Sequence, residues 1–231
     1  MLNRTKIKPR YMLLLSLVTF IFSVAYYIIG NKYANSPLTY YQYIEFTSLI
    51  AIIIVGGYQI FFWVQRNNYF FRTRCLKTKF DEYIPFWPSW VWAYSFLYYL
   101  IIGLVVVSIK SIEQGVNIIF GGLLLLFLQS ICFIFFPCTV PPEWRKYKLN
   151  SVSTKYLKFV QGLDNGRNCF PSMHCSVATY TILILMPLIS YYSFMLLLLI
   201  IISCLFVKQH QIADIVPGVL LGWIVYAVVI A

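Results

Sequence analysis

Two histidines, the only ones in the chain, lie among polar residues where long apolar segments begin or end. His174 occurs in NCFPSMHCS (168–176), and His210 occurs in SCLFVKQHQIADIVPG (203–218). An imidazole ring can act as a nucleophile, and near neutral pH it can also accept or donate a proton. The two rings therefore predict joint chemistry if the fold brings them together, and separate interfacial anchors if it does not.

The residues around His210 are those that would activate it. Asp214 follows at the i+4 position, so on one helix its carboxylate would hydrogen-bond one ring nitrogen and fix the tautomer. The other nitrogen then becomes a better nucleophile or base. Lys208 lies two residues before His210, at the expected water boundary, where its ammonium could reach a phosphate oxygen.

The residues around His174 predict the start of a helix that can bind an anion. Pro171 suits the first helical turn, where its missing N–H is not needed. Ser172, Met173 and His174 would occupy the same turn, with free backbone N–H groups at the positive end of the helix dipole. A metal site built from the two histidines, Asp214 and a nearby cysteine is an alternative, but it lacks a compact ligand pair. A proton relay is another alternative.

The rest of the chain is that of an integral membrane protein. Of its 231 residues, 61% are hydrophobic and only 11% are charged, whereas soluble domains carry about a quarter charged residues. A helix needs about 20 apolar residues to cross the hydrocarbon core of a bilayer, so long uncharged runs predict membrane spans. Six such runs cover 11–31, 46–65, 83–109, 114–142, 175–207 and 215–231.

The run at 175–207 decides whether the two histidines can meet. As one helix it would be about 50 Å long and would place them on opposite membrane faces. Pro187 and the polar residues after it predict a break, and therefore a hairpin of Met173–Ile189 and Tyr192–Lys208. The predicted fold is thus an all-α, polytopic membrane helical bundle of about seven spans, near 11–30, 47–64, 89–109, 116–136, 173–189, 192–208 and 213–231.

Seven spans assign each loop to one of two membrane sides, and the basic residues are distributed very unequally between these sides. Sixteen of the 18 Lys and Arg residues fall on the side with the N-terminus, loops 65–88 and 137–172, and both histidines. By the positive-inside rule this side is predicted to be cytoplasmic. The basic residues that give the net charge of +11 lie next to the predicted spans. They therefore indicate the membrane topology, or attraction to anionic lipids and a phosphorylated substrate, rather than binding to nucleic acid.

The motifs FPSMH and, some 36 residues later, HQIAD resemble those of the type 2 phosphatidic acid phosphatase superfamily of membrane lipid phosphatases and phosphotransferases. Its second motif is Pro-Ser-x-His, and its third is Ser-Arg, five residues, His, three residues, Asp. The resemblance covers roughly residues 81–231 and implies a six-span family core with one extra N-terminal span. We divide the sequence into a two-span N-terminal extension with a basic loop (1–80) and a catalytic core (81–231).

The resemblance also implies the role of each motif residue. His210 would attack phosphorus and form a phosphohistidine, Asp214 would orient His210, and His174 would protonate the departing alcohol. Ser172 and the neighbouring backbone N–H groups would hold phosphate oxygens. No metal or other cofactor is needed, so positive charge from the protein must balance the oxygens of the transition state.

The sequence departs from the family motifs at the positions that would supply this positive charge. Cys204 stands where the third motif has arginine, and the first motif (Lys, six residues, Arg-Pro) is missing, with FFPCTVPPEWRKYK (135–148) in its place. These departures resemble the sphingomyelin- and inositol-phosphorylceramide-synthase-like branch more than the classical phosphatases. The candidates to supply the charge are Lys208, Arg145, Lys146 and Arg167.

From motifs and composition together we expect an integral membrane enzyme that hydrolyses a lipid phosphomonoester or diphosphate. The alternatives are transfer of a phosphodiester headgroup to a lipid hydroxyl and, from another class, a non-catalytic lipid-binding or transport protein. The expected partners are a phosphorylated or phosphodiester lipid and the bilayer, with no nucleic acid and no obligate protein partner. The resemblance implies an extracytoplasmic active site, which conflicts with the charge distribution.

Overall fold

The computed structural model describes residues 9–68 and 70–231, and these residues form helices joined by loops. The all-α membrane bundle predicted from the sequence is confirmed. The helices are α1 (Pro9–Ile29), α2 (Tyr40–Asn67), α3 (Phe80–Tyr83), α4 (Tyr98–Ser108), α5 (Ile112–Phe135), α6 (Val152–Leu163), α7 (Met173–Ile189), α8 (Tyr192–Phe206) and α9 (Ile212–Val229). Short π and 3-10 turns extend α1 and precede α4 and α6.

By length and composition, five helical stretches of the described chain can cross a membrane. They are Ser16–Ala34, Tyr40–Asn67, Pro88–Ser108, Ile112–Phe135 and Ile212–Val229. The hairpin helices α7 and α8 have 17 and 15 residues, so they are about 25 and 22 Å long and shorter than the hydrocarbon core. The protein is therefore an integral, multi-pass membrane protein, and five helical stretches among its described residues have full spanning length.

The predicted hairpin is present, although the break is not at Pro187. Helix α7 has the predicted bounds, keeps Pro187 in its last turn and ends at Ile189. The chain then reverses at Ser190, whose φ of 54° lies in the left-handed region. Helix α8 ends at Phe206, two residues before the predicted end at Lys208.

Helix α2 begins seven residues earlier than its predicted span, at Tyr40 rather than residue 47. Thr39 is the N-cap, and its side chain accepts a hydrogen bond from Gln42 N at 3.4 Å. The Gln42 side chain accepts one from Thr39 N at 2.7 Å in return. This capping box satisfies two free N–H groups and allows a polar turn to precede the apolar run.

Close packing of α7 on α9 brings the two histidine motifs together. Gly218 and Gly222 are one turn apart on α9, where they face the backbone of α7. A Cβ atom at Gly218 would lie 2.6 Å from Ser172 O, and one at Gly222 would meet Ser176 O. Such small-residue contacts allow membrane helices to approach at backbone distance.

The loops predicted to share the basic side do lie together at one end of the bundle. Arg74 N donates to Pro137 O at 2.9 Å, and Gln65 Nε2 donates to Arg167 O at 3.0 Å. At the other end, Ser36 Oγ donates to Ile109 O at 3.0 Å. The N-terminal bases Arg4, Lys6 and Lys8, which the sequence places with the first group, lie outside the described residues.

Candidate active site

His174 and His210 line one cavity of about 190 Å³ at the end of the bundle where the basic loops meet. The centroids of their rings are 5.8 Å apart. His174 is the second residue of α7, and His210 lies in the loop between α8 and α9. A phosphate group in this cavity, beside the two rings, could therefore contact both of them.

His210 does not share a helix with Asp214, contrary to the expectation from their spacing. Helix α9 begins only at Ile212, with Gln211 as its N-cap. The Asp214 carboxylate accepts a hydrogen bond from Gln211 N at 2.9 Å, and the same Oδ2 lies 3.5 Å from His210 Nδ1. The pairing thus forms because Asp214 caps α9 and turns back towards the preceding loop.

The environment of His210 favours a positive charge on its ring. Only 6% of His210 and none of Asp214 is exposed. Burial lowers the pKa of His210, but the adjacent Asp214 carboxylate more than offsets this, so the pKa lies above its ordinary value. Since Nδ1 faces the carboxylate, Nε2 is the nitrogen left for an electrophile.

His174 is held by two tyrosines that the sequence analysis did not identify. Its ring stacks on Tyr94 at a centroid distance of 4.2 Å and packs against Tyr98 at 4.5 Å. The Tyr94 hydroxyl lies 3.4 Å from His174 Nδ1. Both tyrosines come from the uncharged run at 83–109, where nothing in the pattern distinguishes them from the other aromatic residues.

Ser172 joins the two motifs. It is the N-cap of α7 rather than part of its first turn, so Pro171 precedes the helix. Its hydroxyl accepts a hydrogen bond from Cys175 N at 3.3 Å, and its own N–H donates to Asp214 O at 3.0 Å. Ser172 is fully buried and is not among the residues that line the cavity.

Arg145 lines the cavity beside the histidines. One of its terminal nitrogens forms an ion pair with Asp164 Oδ1 at 2.5 Å and donates to Gln209 Oε1 at 3.2 Å. The other donates to the carbonyl oxygens of Gln161 and Asp164 at 3.2 and 3.1 Å. A guanidinium held in this way presents charge in a fixed position next to the His210 loop.

The other basic candidates lie in different places. Arg167 lines the cavity, whereas Lys146 is exposed and does not. The Lys208 ammonium donates to Asp81 O at 2.8 Å and lies 4.7 Å from the centroid of the Trp144 ring. Lys208 is also absent from the cavity lining. The structure therefore brings Arg145 and Arg167 to the histidines and directs Lys208 towards the short helix α3.

Helix α6 forms one wall of the cavity and was missed by the sequence analysis, which treated 137–172 as a loop. Its residues Tyr156, Phe159, Val160 and Leu163 line the cavity, while Phe159 is 61% exposed on the outer surface. Two features of the sequence could have predicted this helix. Ser151 and Thr154 have the spacing of the capping box that they form, and apolar residues with helical spacing follow them.

No group of three or more His, Cys, Asp or Glu side chains converges as a metal-binding cluster within 9–68 and 70–231. The charged groups beside the His210 loop are instead the Asp214 carboxylate and the Arg145 guanidinium, which forms an ion pair with Asp164.

A family model described as PAP2 superfamily matches residues 59–228, which is most of the chain and includes both histidines and Asp214. The chain belongs to the PAP2 superfamily. As a member, it is a phosphatase- or phosphotransferase-type membrane enzyme that acts on lipid-type substrates. Comparisons with curated proteins and with solved structures give no match.

Proposed function

We propose that this PAP2 superfamily member hydrolyses a lipid phosphomonoester or diphosphate through a phosphohistidine on His210, without a metal. The observation that carries the proposal is the position of the two histidine rings, 5.8 Å apart in one cavity. Asp214 lies against one of these rings and Arg145 lies in the wall. A nucleophile, a proton donor and a positive charge therefore surround the same small volume.

In the first step, Nε2 of His210 attacks phosphorus while the bond from phosphorus to the lipid oxygen breaks. Asp214 faces Nδ1 and stabilises the positive charge that develops on the ring. His174 donates a proton to the departing alcohol or phosphate, so the leaving group does not depart as an unstable anion. The product is a phosphorylated His210 and a neutral His174.

In the second step, His174 removes a proton from a water molecule, which attacks the phosphorus atom opposite the P–N bond. That bond breaks, inorganic phosphate leaves, and His210 returns to its starting form. Both steps place negative charge on the equatorial phosphoryl oxygens. Arg145 and Arg167, as the basic cavity residues, would balance this charge in place of the missing first-motif residues.

Headgroup transfer is the second candidate, because the cavity wall is rich in apolar and aromatic side chains. Phe61, Phe62 and Phe159 line it together with the histidines. A lipid hydroxyl could be held against such a wall and attack the phosphohistidine in place of water. This outcome would place the protein nearer the sphingomyelin-synthase-like branch, as Cys204 in place of arginine also indicates.

Purified protein with a panel of labelled lipids distinguishes these candidates. The panel contains phosphatidate, phosphatidylglycerol phosphate, an isoprenyl diphosphate, and phosphatidylcholine with ceramide or diacylglycerol. Release of free phosphate that is lost in His210→Ala and His174→Ala, but kept in Lys146→Ala, supports hydrolysis. A new headgroup lipid indicates transfer, and no turnover of any lipid overturns the catalytic proposal.

A further inference from the structure

A second cavity, of about 120 Å³, lies deeper in the bundle, and the surface that lines it is almost entirely apolar. Helices α2, α4, α5 and α7 contribute to it, with Ile53, Ile102, Leu126 and Val177 among the lining residues. Along α7 the lining runs from Met173 to Thr181, which corresponds to about 12 Å of helix directed into the membrane.

The two cavities are neighbours and share part of their lining. Tyr58, Tyr99 and Met173 line both of them. Met173 is the neighbour of His174, and the hydroxyl groups of Tyr58 and Tyr99 form a hydrogen bond at the junction. A molecule with a polar head at the histidines and an apolar chain would therefore extend past this tyrosine pair into the second cavity.

We propose that the second cavity is the subsite for the hydrocarbon chain of the lipid whose phosphate lies at His210. This inference rests on the proposed function and defines the substrate class more narrowly, as a lipid whose hydrocarbon chain is attached close enough to its phosphate to reach from His210 into the second cavity. Within the bilayer, the chain leaves surroundings as apolar as the cavity, so little hydrophobic free energy is gained. The subsite would instead fix the direction of the chain and hold the phosphate in line with His210.

One wall of this subsite is outside the part of the chain that matches the family. Ile50, Ile53, Ile54 and Gly57 of α2 line the second cavity, and all four precede residue 59, where the match begins. Selectivity for the lipid chain would therefore depend in part on the α2 wall of the cavity, which lies outside the residues that match the family model.

Gly122 offers a way to fill the subsite without disturbing the bundle. It lines the second cavity, and a Cβ atom built on it meets nothing within 4 Å. Gly122→Phe would therefore place a ring in the cavity. Gly56→Phe is the matched control, because a Cβ atom at Gly56 also meets nothing within 4 Å, but Gly56 does not line the cavity.

The direct test is photolabelling of the detergent-solubilised protein by a long-chain alkyl phosphate with a diazirine at its terminal carbon. Labels should map to α2, α4, α5 or α7 at the second cavity, and Gly122→Phe should reduce them by about tenfold while Gly56→Phe keeps them. Labels elsewhere, or equal effects of the two variants, overturn the proposal. So does undiminished labelling in excess long-chain alkyl phosphate without the diazirine, because the cavity would then hold bulk lipid chains.

Activity supplies a second readout that separates this inference from the proposed function. Gly122→Phe should lower kcat/KM about tenfold for a long-chain phosphate and leave a short-chain, water-soluble phosphate within about twofold. If the wild type hydrolyses neither phosphate but the label still maps to the second cavity, the proposed function fails and the chain subsite stands. If hydrolysis occurs and Gly122→Phe affects both substrates equally, the chain subsite fails.

Discussion

The carboxylate of Asp81 accepts a hydrogen bond from Ile212 N at 2.8 Å, which ties the short helix α3 to the start of α9. The backbone carbonyl of the same residue accepts one from Lys208 Nζ, also at 2.8 Å. His210 lies between these two attachment points in the chain. The position of the proposed nucleophile therefore depends on an acidic residue outside both histidine motifs.

Asp81 should accordingly act as a positioning residue. Asp81→Ala removes the acceptor for Ile212 N, so we expect kcat to fall by about 10–100-fold with a smaller change in KM. Asp81→Asn keeps an oxygen acceptor and should recover much of the loss. Steady-state kinetics on the lipid phosphate checks this prediction.

Glu82 provides the matched control for Asp81, since it is the next acidic residue and its side chain is 64% exposed. Glu82→Ala should retain activity within about twofold, because exposed ion pairs contribute little. Equal losses in Glu82→Ala and Asp81→Ala, or full activity in Asp81→Ala, would contradict the positioning role.

The pH dependence should reflect the raised pKa of His210. The nucleophile must be unprotonated and the proton donor His174 must be protonated, so kcat/KM should pass through a maximum, and the limb set by His210 should lie above about pH 6.5, the ordinary histidine value. In Asp214→Asn the stabilising carboxylate charge is lost, so this limb should move to lower pH and kcat should fall by at least about 10²-fold. A profile with both limbs unchanged in Asp214→Asn would show that His210 controls neither of them.

Stability should also depend on pH through the raised pKa of His210. A pKa raised in the folded state means that protonated His210 stabilises the fold below its unfolded pKa, and this contribution is lost as pH rises through the folded pKa. Asp214→Asn should therefore reduce stability most on the acid side, as measured by thermal unfolding in detergent at several pH values. A uniform loss at all pH values would argue against this linkage.

Arg145 should be the main source of positive charge at the phosphate. Arg145→Lys cannot reproduce the fork of contacts with Asp164 and Gln209, so we expect a loss of about 10-fold or more in kcat/KM, and a larger loss in Arg145→Ala. The neighbouring Lys146→Ala, at an exposed position, should remain within about twofold. Lys208→Ala should raise KM less than Arg145→Ala does, because the Lys208 ammonium is held by Asp81. An equally large rise in KM would show that Lys208 leaves Asp81 to bind the phosphate.

The membrane side of the site can be tested with a native cysteine. Cys75 is exposed in the basic loop, while Cys138, Cys169, Cys175 and Cys204 are buried and Cys132 is partly buried. From the distribution of basic residues we expect a membrane-impermeant maleimide to label Cys75 only after intact cells are opened. Labelling in intact cells would place the active site outside the cytoplasm, and Cys75→Ser is the control for specificity.

The sequence could predict the hairpin and the meeting of the two histidines because both follow from hydrophobic lengths and polar breaks. Helix α7 has the bounds that were predicted. The local geometry of the site was harder to predict. His210 lies before α9 rather than on it, and Lys208 has a φ of 56° that helps to direct its side chain to Asp81. These features depend on hydrogen bonds between residues far apart in the chain, such as Asp81 and Ile212, which periodicity does not encode.

The tyrosines around His174 illustrate the same limit. Tyr94 and Tyr98 belong to an aromatic stretch in which every side chain suits a membrane helix equally well. Only the packing of α4, and of the π turn that precedes it, against α7 selects these two to contact the imidazole. The division of the sequence at residue 80 stays a prediction.

The central claim is that His210 carries the phosphoryl group, and rapid quenching during turnover tests it most directly. A lipid labelled with radioactive phosphate is mixed with the protein, the reaction is stopped in alkali, and the labelled peptide is mapped. We predict acid-labile, alkali-stable phosphate on His210, absent in His210→Ala. Turnover without protein-bound phosphate, phosphate on another residue, or full turnover in His210→Ala would contradict the mechanism.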